Sequence, residues 1–133
     1  MATITNAILS LAHDHRKKLV TAVVKCNVNF TALELCQMKT CSGRYFKLKC
    51  QLWASDPFYL GGDSVLYSYT DIFYFPDANP NATESRKFEV ILGEGVLDED
   101  WLFQDEVYGL IKLFNLTSLV EIKKKTNIVS HSF

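Results

Sequence analysis

Val20-Thr21-Ala22-Val23-Val24-Lys25-Cys26-Asn27-Val28-Asn29-Phe30 is the stretch that decides the fold class. Every even position from Val20 to Phe30 is apolar, while Thr21, Lys25, Asn27 and Asn29 stand among the odd ones. A strand sends successive side chains to opposite faces, so this alternation describes a ribbon with one face in a core and the other in water. The pattern returns over 44–54, where Phe46, Leu48, Cys50, Leu52 and Ala54 oppose Lys47, Lys49 and Gln51. Phe88, Val90 and Leu92 repeat it within 86–92, and Val107, Gly109, Ile111 and Leu113 within 106–114. Residues 119–129 then read as the returning arm of a hairpin turned at Asn115-Leu116-Thr117, with 130–133 as an extension.

Turn residues separate these ribbons. Asp56-Pro57, Gly61-Gly62-Asp63 and Pro76-Asp77-Ala78-Asn79-Pro80-Asn81 cannot propagate a ladder. The aromatic segment 64–75 is one long strand or two broken near Thr70-Asp71, and 31–39 is a one-to-two-turn helix or a short strand, closed by Cys41-Ser42-Gly43. About seven strands result, with no amphipathic helix long enough for a βαβ crossover. The expectation is an all-β chain: a two-layer β-sandwich of immunoglobulin-like type, with a small β-barrel as the alternative. The Cys…Trp…Cys order of true immunoglobulin domains is missing, because Trp53 follows all four cysteines.

Residues 1–15 are set apart as an N-terminal arm or first strand, and 16–133 as a single β-sandwich domain. The opening segment alternates only weakly and also carries Ile4, Ile8 and Leu11 at helical spacing.

Composition narrows the function. The chain has 133 residues, 48% of them hydrophobic, enough to build a core without metal or disulfide staples. Fourteen Lys plus Arg balance fifteen Asp plus Glu, so net charge offers no attraction for nucleic acid, and no apolar run approaches the roughly 18 residues of a membrane span.

Cys26, Cys36, Cys41 and Cys50 fall in one window and are the disulfide candidates, with buried free thiols as the equal alternative. Asn29, Asn81 and Asn115 each open an N-x-[ST] sequon. Together they favour an extracellular setting, with a cytoplasmic one as the alternative, since the short apolar run 7–12 lacks the features of a signal peptide.

Four features carry candidate chemistry. His13-x-His15 has spacing that suits zinc, copper or nickel, provided that His131 or a carboxylate supplies a third ligand. Six acids lie between Glu94 and Glu106, and among them Asp98, Asp100, Asp105 and Glu106 are the candidate ligands for calcium, which takes irregular shells of oxygen. Lys123-Lys124-Lys125 suits a guarded sheet edge. Exposed rings at Trp53, Tyr67 and Tyr69 would suit a sugar.

No nucleophile motif or phosphate loop is present, and neither an enzyme nor a cofactor is expected. The reading is a non-enzymatic structural module that self-associates or binds another protein through a sheet edge, the N-terminal arm or an aromatic face. A calcium- or carbohydrate-binding sandwich is the alternative.

Overall fold

The computed structural model describes residues 1–40, 45–55, 64–74, 81–97 and 105–131. Nine strands and two helices follow in the order β1 (Thr3–Asp14), β2 (Leu19–Asn29), α1 (Ala32–Thr40), β3 (Phe46–Ala54), β4 (Ser64–Ser68), β5 (Ile72–Tyr74), β6 (Thr83–Gly93), α2 (Glu94–Leu97), β7 (Asp105–Asn115), β8 (Glu121–Lys125) and β9 (Val129–His131). They form two antiparallel sheets, a three-stranded one in the order β1-β2-β6 and a six-stranded one in which β4 and β5 pair with β3 while β8 and β9 pair with β7. The two-layer β-sandwich is therefore correct, and the described strands do not close into a barrel. Two strands beyond the expected seven arise because the aromatic segment breaks into β4 and β5, and the final hairpin arm into β8 and β9.

The alternation read at 20–30 becomes the centre of the small sheet. Val20, Ala22, Val24, Cys26 and Val28 are all buried, and they share one hydrophobic core with the inward row of β3, where Phe46, Leu48, Cys50 and Leu52 are equally enclosed. Phe30 wedges between Phe46 and Tyr74, with ring centroids 5.1 and 5.2 Å away. Ring pairs of this tilted or edge-on kind add to the area they bury. Tyr69 crosses the core from the large sheet and donates its hydroxyl to the Ala22 carbonyl at 3.0 Å.

Between β2 and β3 the chain changes sheets through α1. Nine residues are too few for a helix to hold alone, so its ends are fastened. Thr31 Oγ1 accepts from the Glu34 amide at 3.2 Å while Glu34 Oε1 accepts from the Thr31 amide at 2.8 Å, a reciprocal capping box. The other carboxylate oxygen of Glu34 accepts from the Ala2 amide at 3.1 Å, tying the start of the chain to the same turn. Met38, one turn beyond Glu34, is fully buried and anchors the helix in the core.

The first fifteen residues are an ordinary strand with one irregularity. β1 pairs with β2 from Thr3↔Asn29 to Asp14↔Leu19, but the register slips by one between Thr5 and Ile8. Asn6 sits at the slip with φ 52°, a left-handed conformation that Asn tolerates better than most residues. An extra residue reverses which parity faces inward. Ala2 and Ile4 are buried before the bulge and Leu9 after it, which leaves Ile8 exposed. This reversal explains both the weak alternation and the false helical spacing of Ile4, Ile8 and Leu11.

A second irregularity separates β8 from β9. Leu110 pairs with Lys125, yet Val107 pairs with Val129, so one extra residue lies between the two ladders. Thr126 turns inward there, donating its amide to the Gly109 carbonyl at 2.9 Å and accepting the Gly109 amide on Oγ1 at 2.8 Å. The neighbouring carboxamide of Asn127 reaches across to β1.

Candidate functional site

The β1–β2 hairpin tip is where chemically active side chains converge. Asp14 Oδ1 accepts the amides of Arg16 at 3.0 Å and Lys17 at 3.2 Å, folding the connection into an Asx-type turn that ends at Lys18 with φ 55°. The Lys18 carbonyl then accepts the amide of Glu94, the first residue after β6, at 3.1 Å. Because the β1 bulge gives odd positions the inward face, His13 points toward the interior side of this corner, with 5% of its side chain exposed. Its Nε2 lies 2.8 Å from Glu94 Oε2. His15, exposed on the turn, sets its ring 3.9 Å from that of His13. One ligand atom from each of His13, His15 and Glu94 falls within 4.8 Å of the others.

The third member is thus the Glu94 carboxylate. His131, the other candidate, is placed in β9 with its backbone paired to Asp105. In sequence Glu94 opens the acidic stretch, and only the antiparallel return of β6 beside β2 brings it to the histidines. No spacing rule links positions 81 residues apart.

Other candidate positions are distributed differently. Asp98 and Asp100 lie outside the described residues; Asp105 and Glu106 open β7 as successive backbone partners of His131 and Ser130. Cys26 and Cys50 do share the interior, as unbridged thiols. Burial pushes the Cys26 thiol up to about 11, partly offset by Arg86, and burial with the nearby Cys26 raises Cys50 further. Cys36 is exposed on α1, and Cys41 lies outside the described residues.

Asn29 spends both amide hydrogens on Thr3 Oγ1 (3.2 Å) and Thr5 Oγ1 (3.0 Å) while its Oδ1 accepts from Thr83 at 3.1 Å, so it works as a cross-strand tie. Asn115 accepts the Thr117 and Ser118 amides within its turn, and Asn81 is exposed. The aromatic reading needs correction at Tyr69, which is a core residue and offers no ring to a sugar. Tyr67 packs edge-on against it at 5.1 Å, and the Trp53 indole donates to Gln51 Oε1 at 3.3 Å.

Sheet edges differ sharply in how they are protected. Lys123, Lys124 and Lys125 line β8, where a second such strand would bring ammonium groups together. Both backbone groups of Leu9 on the outer side of β1 are taken by Asn127. β4 is only five residues long. β6 is different: it runs eleven residues in unbroken register with β2, and among the described residues no strand pairs with its outer side. Lys87 and Glu89 stand on its solvent face, 3.2 Å apart and about half exposed.

The sequence matches no protein-family model and no curated protein. Among solved structures, the fold is similar to part of one described as a "putative beta-galactosidase from bacteroides fragilis", with a TM-score of 0.52 at 10% identity. The match covers 90% of this chain and 15% of that one, so this chain spans a small fraction of the larger protein's length. At that identity the likeness concerns the sandwich fold alone. Among the described residues no helix is long and apolar enough to cross a membrane.

Proposed function

We propose that this chain is a non-catalytic interaction module that joins a second copy of itself through β6. The observation that carries the reading is the outer edge of β6, eleven residues long, with which no strand among the described residues pairs, and which lacks the bulge or lysine run that guards other edges. Phe88 is the midpoint of Thr83–Gly93. An antiparallel copy related by a two-fold axis at Phe88 sets Lys87 opposite the second copy's Glu89 and Glu89 opposite its Lys87. Isologous contacts of this kind repeat each favourable pair twice. Cross-strand pairs of opposite charge contribute roughly 0.2–1 kcal/mol each, and the backbone ladder supplies the rest. The product is a continuous six-stranded sheet in the order β1-β2-β6 followed by its mirror sequence.

Light scattering on a dilution series of the full chain tests this. The expected result is a concentration-dependent dimer that K87E and E89K each weaken, by placing like charges opposite one another, and that K87E/E89K restores. A monomer at every concentration, or a dimer indifferent to both single changes, would overturn the proposal.

A further inference from the structure

We propose that His13, His15 and Glu94 form a binding site for a borderline divalent transition-metal ion, for which Zn²⁺ is the probe. Two imidazoles and one carboxylate are the donor set that such ions select over calcium or magnesium, which prefer shells made of oxygen alone. Three protein ligands leave a fourth position to water or another molecule.

Each ligand arrives from a different structural cause. The β1 bulge turns His13 inward, the Asx turn at Asp14 carries His15 around the hairpin, and the hydrogen bond from the Glu94 amide to the Lys18 carbonyl seats the carboxylate against both. Zinc bonds of about 2.0–2.2 Å in a tetrahedron set ligand atoms roughly 3.4 Å apart. His13 Nε2 and Glu94 Oε2, at 2.8 Å, are already closer than that, and the largest separation in the group is below 4.8 Å. His15 is exposed, so torsional rotation of its side chain supplies the remaining approach of roughly 1.5 Å. Burial of His13 and partial burial of Glu94 shield two of the three ligands from competing water. Arg16, Lys17 and Lys18 are exposed on the same turn and oppose a cation, weakening the expected affinity.

The site does not depend on β6 pairing, and the experiment keeps the two apart. Zn²⁺ is titrated calorimetrically into the untagged full chain and into K87E, with H15A and E94Q as the test variants and circular dichroism as the check on folding. His15 is exposed, and E94Q keeps the size of a partly buried side chain, so the fold survives both substitutions. The expected result is one Zn²⁺ per chain in the parent and in K87E alike, undisturbed by excess Ca²⁺, with affinity lowered at least about tenfold in H15A and in E94Q. Absence of binding, displacement by Ca²⁺, or full affinity in either H15A or E94Q overturns the site. The last outcome would move the ion elsewhere, for instance to the cysteines.

Discussion

The Asn127 carboxamide grips the backbone of Leu9 on both sides, accepting its amide on Oδ1 at 2.8 Å and donating Nδ2 to its carbonyl at 3.2 Å. A side chain here does the work of a strand. Among the described residues no strand pairs with the outer edge of β1, and the extra residue between β8 and β9 frees Asn127 to take that place. The contact links the two sheets at their open corner across 118 residues of sequence.

Replacing Asn127 with Ala should therefore cost about 1–2 kcal/mol, the usual result of orphaning a partly buried donor and acceptor together. N127D keeps the acceptor for the Leu9 amide but sets a carboxylate against the Leu9 carbonyl, so it should recover little. Urea unfolding of the three proteins checks this. Midpoints unchanged in N127A would show that water replaces the carboxamide without loss.

Gly109 is needed for room. A Cβ there would lie 3.0 Å from Thr126 Cγ2 and 3.2 Å from Val24 Cγ2, both closer than ordinary packing allows. Gly109→Ala should destabilise by about 1–3 kcal/mol through overpacking. Thr126→Ser removes the obstructing methyl while keeping the hydroxyl that accepts the Gly109 amide. In a double-mutant cycle, G109A/T126S should be more stable than the sum of the single changes implies. Strict additivity would place the strain elsewhere.

The core should also make the protein sensitive to alkali. Burial raises the Cys26 and Cys50 thiols above their ordinary 9.0 and the Tyr69 and Tyr74 phenols above their ordinary 10.0, with Arg86 opposing the rise at Cys26 and Tyr74. All four groups are neutral below those values in folded and unfolded chains alike. Above about pH 9 the unfolded chain ionises first, binds fewer protons than the folded one, and is favoured as pH climbs. The urea midpoint should thus fall between about pH 8 and about pH 10.5, and fall less steeply in Cys26→Ala measured against its own pH 8 value. A flat profile would mean that these groups meet solvent in the folded state.

Legibility in the sequence followed how local the physics was. β2 and β3 could be read directly because each has one face in the core along its whole length, so period two survives in the order of residues. β1 was harder to read because a single residue at Asn6 exchanges the inward and outward parities midway. The aromatic segment concealed its faces for a different reason: with Leu66, Tyr67, Tyr69, Phe73 and Tyr74 all apolar or nearly so, nothing in their order singles out Tyr69 as the ring that enters the core. His13-x-His15 was visible as a pair of potential ligands, yet its partner Glu94 was not, since its nearness depends on β6 returning beside β2.

Residue order alone was sufficient to specify stacked sheets, the inward rows of the two central strands and the hairpin at Asn115, because side-chain alternation and turn chemistry act over a few residues. Which edges are covered, which thiols stay unbridged, and which histidine meets which carboxylate were settled by packing. Those outcomes depend on strand order and on two one-residue slips that determine where distant segments come to lie, and neither leaves a signature in any short stretch of the chain.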